Sequence, residues 1–139
     1  MTAGPSLYDV LLGHIDGESI HLHDDRTLEI LSVQRNVQRI LNTRAGALKH
    51  LPDYGLPDLS MIYRALPASA SELQAQLEKT LLVYEPRIGR VEVAPVTDAD
   101  PGILMSFEMT VHLRKAGLVR FGTYFEPRGV RLVKRPDGL

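Results

Sequence analysis

A chain of 139 residues, 44% of them apolar and 24% charged, has the size of one domain and the composition to fill one core. It holds no cysteine, which excludes disulfides and thiolate metal sites, and its net charge of −1 argues against a generic nucleic-acid binder. No apolar run approaches the roughly 18 residues of a membrane span, and the N-terminus lacks the basic and apolar regions of a secretory signal, so a cytoplasmic protein without direct membrane insertion is expected.

Ser6 to Leu12 reads as a short helix, capped by Ser6, with Leu7, Val10 and Leu11 on one face. Gly13 ends it, and residues 14–23 read as an irregular linker. Asp24 or Asp25 then opens a longer helix reaching about Asn42. Its apolar stripe is Ile30, Val33, Val37, Ile40 and Leu41, with Gln34, Arg35, Gln38 and Arg39 on the other faces. Thr43 to Ser60 has two prolines, two glycines and little periodicity. Loops of this length are uncommon and often functional. A short helix over about Asp58 to Arg64 follows Pro57. Ser69 and Glu72 form the S-x-x-E pattern of a capping box before a helix that runs to Tyr84. Its buried stripe is Leu73, Leu77, Leu81 and Tyr84, with Ala70 a turn earlier. Pro86 stops it.

The period then changes from 3.6 to two. Ile88 to Val96 reads as a strand, and Thr97 to Gly102 as a turn. Ile103, Met105, Phe107, Met109, Val111 and Leu113 alternate with polar residues in the clearest strand of the chain. After Lys115-Ala116-Gly117, Val119, Phe121, Thr123 and Phe125 alternate along a third strand. A turn over Glu126 to Gly129 leads to a last one, Val130 to Lys134. Helices followed by an antiparallel meander of three to four strands make an α+β fold, with the helices on one face of the sheet.

Charge is unevenly spread. Residues 1–30 carry six acidic side chains and one basic, Arg26, whereas residues 112–135 carry seven basic and one acidic, Glu126. Such polarity steers different partners to the two ends; as two solvated surfaces it needs no partner at all. The five histidines match no metal-ligand spacing, and no cofactor is expected. Glu85 with Asp53 or Asp58 is an imaginable carboxylate pair, but nothing in the sequence selects it. There is no nucleophile elbow and no phosphate-binding glycine loop. Alternation puts Phe121 and Phe125 on the face of Val119, which favours core packing over base stacking.

The segment Glu85-Pro86-Arg87 stands apart because it lies where helix becomes strand. Proline fixes the relative direction of the two charged residues, and Arg87 offers a planar fork to a carboxylate or to carbonyls. One reading is helix termination with a local ion pair. The other is a docking corner for a partner, made by Glu85, Pro86 and Arg87.

Three stretches carry a resemblance. LNTRAGALKHLPDYGLPDL, residues 41–59, is similar to the helix-end and loop signature of the TssE-type proteins of bacterial type VI secretion systems, which group with phage baseplate wedge proteins once labelled lysozyme-like. PSLYDVLLG, residues 5–13, resembles their short N-terminal motif, and YEPRI, residues 84–88, their Glu-Pro-Arg motif. The resemblance implies an N-terminal helix and linker over 1–23, a wedge domain over 24–135 and a tail over 136–139. It implies a structural protein, not an enzyme, that meets other wedge subunits through Glu85, Pro86 and Arg87 and contractile sheath subunits by strand addition. A peptidoglycan hydrolase and a regulatory adaptor on the same fold are the alternatives. The second tripeptide, Glu126-Pro127-Arg128, follows a strand and precedes Gly129, so it reads as a hairpin turn without the motif's role.

Overall fold

The computed structural model describes residues 17–97 and 100–136, with side chains from residue 25 onward. The helix expected over Ser6–Leu12 lies outside the described residues. Helix α1 spans Gly17–Leu41, α2 Leu59–Arg64 and α3 Ala70–Tyr84. Strands β1 (Ile88–Val96), β2 (Met105–Leu113), β3 (Gly117–Glu126) and β4 (Gly129–Lys134) follow. They form one antiparallel meander in the order β1-β2-β3-β4, with α3 packed on β1 and α1 on β4. The α+β reading holds.

The linker expected over 14–23 gives way to helix from Gly17. Residues 18–25 hold no proline or glycine, so nothing in them interrupts a helix already nucleated by the packed stretch that follows. That packed stretch uses Ile30, Val33, Val37, Ile40 and Leu41, all buried as their spacing requires. In α3 the buried positions are Leu73, Leu77, Thr80 and Leu81. The sheet answers with Val91 and Val93, then Phe107, Met109, Val111 and Leu113, then Val119, Phe121 and Phe125, then Val130 and Leu132. A bulge between Ile88 and Arg90 turns Ile88 inward together with Val91, three residues on, where strict alternation would separate them.

The capping box at Ser69 is absent. Ser69 is already in the right-handed helical region and makes no side-chain cap. Its buried hydroxyl donates to the Ile62 carbonyl at 2.5 Å, binding α3 to the end of α2. A hydroxyl can donate to a carbonyl and accept a cap bond at once; what removes the cap is the helical backbone of Ser69, where an N-cap is extended. Asp58 is a cap, accepting from the Ser60 N–H at 3.1 Å to start α2.

The long loop before α2 is ordered through its ends. Ala45 donates to the Leu56 carbonyl at 2.8 Å and Leu56 to the Thr43 carbonyl at 2.9 Å. Gly55 makes this closure fit, with φ +110° and its Cα against the Thr43 carbonyl where a Cβ would collide. Tyr54 and Leu56 are buried, and the Tyr54 ring meets Tyr84 edge-on with centroids 5.1 Å apart. Pro127 and Arg128 form a two-residue hairpin turn between the paired Glu126 and Gly129, as the sequence suggested.

The solvent face of the sheet has a notch at Gly122. The Arg135 guanidinium fills the space a side chain at 122 would take, held by the Tyr124 hydroxyl at 2.7 Å and the Glu108 carboxylate at 3.2 Å. The Arg131 guanidinium lies 4.7 Å from the centroid of the Tyr124 ring.

Candidate functional site at the Glu-Pro-Arg corner

Pro86 ends α3 and forces the chain into β1, so Glu85, Pro86 and Arg87 occupy one turn between two rigid elements. Glu85 is the C-cap of α3, its N–H still bonded to the Leu81 carbonyl, and its side chain is fully buried. A buried carboxylate must find donors, and this one has four. Oε2 accepts the Arg87 backbone N–H at 2.9 Å and the Arg87 Nε at 2.9 Å. Oε1 accepts an Arg87 terminal nitrogen at 2.7 Å and the Asn36 amide at 3.0 Å. The pair is bidentate, the strong geometry for arginine and carboxylate.

Helix α1 completes the corner. Ser32 accepts the remaining Arg87 terminal nitrogen at 2.8 Å, and Asn36 also donates to the Tyr84 carbonyl at 3.3 Å. From the other side Arg114 reaches the Pro86 carbonyl at 3.1 Å, while its own N–H donates to the Arg87 carbonyl at 2.9 Å. Burial alone pushes the Glu85 carboxyl up, but the hydrogen bonds from Arg87 and Asn36 and the Arg87 charge outweigh it and hold the group below its ordinary value. Arg87 is held above its ordinary value, first by its hydrogen bond to Glu85 and further by the charges of Glu85 and Glu29.

The corner thus has an inside and an outside. Glu85 faces inward and offers nothing to solvent. The Arg87 side chain is 37% exposed, Pro86 is exposed, and Leu82 and Val83 beside them on α3 are 45% and 61% exposed. Nothing in the sequence marks Ser32 and Asn36 as its supports. They sit four residues apart on α1, on a strip that a 3.6 period shows as polar and that only the tertiary fold turns toward Glu85.

The imagined acid pairs are not assembled. Glu85 is spent on Arg87 and Asn36. Asp58 is spent on Ser60, whose hydroxyl and N–H hold its carboxyl below the usual range. Asp53 lines a half-open cavity of about 320 Å³ with Lys79 and Tyr84, and Glu85 is not among the lining residues.

Both edges of the sheet are covered by helix side chains. On β4, Val130 N–H donates to Asn42 Oδ1 at 2.9 Å and Leu132 N–H to Gln38 Oε1 at 2.9 Å. The Val130 carbonyl accepts from the amides of Gln38 and of Asn42, the latter at 2.9 Å, and the Leu132 carbonyl accepts from Gln34 at 3.1 Å. On β1, Glu78 of α3 accepts the Val93 N–H at 3.1 Å. Among the described residues no helix is long and apolar enough to cross a membrane.

The family of baseplate wedge protein gp25 matches residues 29–117, a stretch that contains α1 from Glu29, the long loop, the corner and β2. A chain in the solved structure of the baseplate complex from the type VI secretion system is 36% identical, with a TM-score of 0.60 over 81% of this chain and 99% of that one. A protein provisionally named a tail lysozyme, from Geobacter sulfurreducens, is 14% identical over 80% of this chain and 95% of its own, with a TM-score of 0.44, too weak a likeness to carry an argument. No curated protein matches. With the family match covering well over half of its length, this chain belongs to the baseplate wedge protein gp25 family.

Proposed function

We propose that this chain is a structural wedge subunit of a cytoplasmic type VI secretion baseplate. Its wedge domain, residues 24–135, docks on the other wedge subunits through the Glu85-Pro86-Arg87 corner and joins the contractile sheath by strand addition. The observation that carries the baseplate reading is the 36% identity to a baseplate-complex chain that is covered almost end to end. The corner reading is supported by the division of labour within it. Glu85 is buried and anchors Arg87 bidentately, so Pro86 and the exposed part of Arg87 form a preorganised surface beside Leu82 and Val83. Preorganised groups lose little entropy on docking.

The protein works without chemistry of its own in this reading. A glycosidase acid needs a carboxyl raised toward neutrality. Glu85 and Asp58 are both shifted the other way, and the first is sealed from any substrate.

The test is co-purification of the wedge subunits with Arg87→Ala, beside Leu77→Ala as a control of comparable instability remote from the corner. Loss of the partners with Arg87→Ala alone is expected. Retention of the partners by both variants sinks the docking role of the corner.

A further inference from the structure

The two edges of the sheet are covered in different ways, and the difference selects between them. The outward peptide groups of β1 belong to Val91, Val93 and Pro95, since Val93 N–H points away from β2 toward Glu78 and strand direction repeats every second residue. Pro95 has no N–H to give, and the bulge at Gly89 breaks the register at the other end. No movement of a side chain restores a regular edge there. Strand β4 has neither proline nor bulge. Among the described residues, the hydrogen bonds that cover it come from side-chain amides.

Those amides stand where a neighbouring strand would. Gln34 and Gln38 lie four apart on α1 and Asn42 follows four further on, one residue past its end, a spacing of about 6 Å along the axis, and outward residues two apart on a strand are spaced about 6.7 Å. Gln38 gives a hydrogen to the Val130 carbonyl and takes one from Leu132 N–H, as one residue of a parallel strand does. Asn42 exchanges both bonds with Val130 alone, as a residue in an antiparallel pair does. Gly129 leaves room for it, since a Cβ there would come within 2.7 Å of Asn42 Oδ1. A groove of about 230 Å³ continues from this end of β4, floored by Leu41, Leu56, Leu59 and Val130 and flanked by the exposed cations Arg44 and Arg128.

We propose that β4 is the strand-accepting edge, that the amides of Gln34 and Gln38 on α1 and of Asn42 just past its end hold it closed in the free subunit, and that an extended partner segment displaces them and seats an acidic side chain in the adjoining groove between Arg44 and Arg128. The inference rests on the strand-addition reading and adds the edge, the guard and the chemistry of the incoming segment.

The test uses the full chain, its Gln34→Ala/Gln38→Ala variant and the cognate sheath subunit as probe. Alanine is the best helix former, so α1 is expected to persist. In the free variant the Leu132 N–H loses its acceptor and exchanges faster with solvent. With two competing amides gone, the variant binds the sheath subunit about five- to tenfold more tightly. Arg128→Glu, at an exposed turn, weakens binding. In the wild-type complex, Val130 and Leu132 remain protected while the Gln38 side-chain amide becomes solvent-exchangeable. Protection that appears at Val91 and Val93 instead, with the Gln38 amide still held, overturns the choice of edge and leaves strand addition standing. Binding without new protection on either edge overturns strand addition itself. Equal affinity of variant and wild type overturns the guard. Should the double variant fail to fold, the exchange footprint of the wild-type complex decides alone.

Discussion

Removing Glu85 and Arg87 singly and together measures how the corner is held. Glu85→Ala deletes an acceptor of four hydrogen bonds and leaves the Arg87 guanidinium, the Arg87 N–H and the Asn36 amide short of a partner. Breaking a buried pair costs about 3–5 kcal/mol. Arg87 is 37% exposed and can turn to water, so the lower end, about 3 kcal/mol, is expected. Arg87→Ala leaves a buried carboxylate with one backbone N–H and Asn36, and costs about the same. The double variant loses the pair but strands no charge, so its cost is expected near about 4 kcal/mol, well short of the sum, with a coupling of about 2 kcal/mol. Urea unfolding of the four proteins reads these values, and each single variant should melt about 10 °C below wild type for a domain of this size. Additivity within about 0.5 kcal/mol would refute the argument, because it would mean that Glu85 and Arg87 act independently despite two direct side-chain bonds.

Three further outcomes are expected. The Glu85 carboxyl is held below its ordinary value of 4.5, so its contribution to stability is present above that pH and is lost as pH falls through the folded value; the stability gap between wild type and Glu85→Gln should therefore close on acidification, as followed by urea midpoints across that range. Gly55→Ala places a Cβ against the Thr43 carbonyl at a positive φ and should cost well over about 1 kcal/mol, read by the same unfolding assay, with Gly46→Ala as the comparison because its positive φ faces open space. Purified protein should leave a peptidoglycan suspension turbid over hours, and clearing that Glu85→Gln or Asp53→Asn abolishes would reverse the non-enzymatic reading.

The fold was legible where one period ran unbroken. The stripe from Ile30 to Leu41 and the alternation from Phe107 to Leu113 each named the buried residues, because burial on one face leaves the same mark whatever lies opposite. Local chemistry was less dependable. Ser69 has the sequence of a cap, yet its backbone is already helical and its hydroxyl donates to Ile62, a partner that only helix packing supplies. The corner was legible as a place but not as a circuit. Proline between helix and strand marked it, while Ser32 and Asn36 come from 55 and 49 residues away. Gln34 and Gln38 lie on the polar faces of α1 and flank its apolar stripe. Their recurrence with Asn42 at every fourth position was the one available sign that this flank meets a strand edge.

The notch at Gly122 ties two distant positions into one choice. The guanidinium of Arg135 stands in for the side chain that residue 122 lacks. A methyl group at 122 would evict it from Glu108 and Tyr124, and a shorter residue at 135 would uncover bare backbone in the middle of the sheet. Substitution at either position alone is therefore penalised, and the two are expected to change together: relatives that carry a side chain at 122 should have given up the arginine at 135.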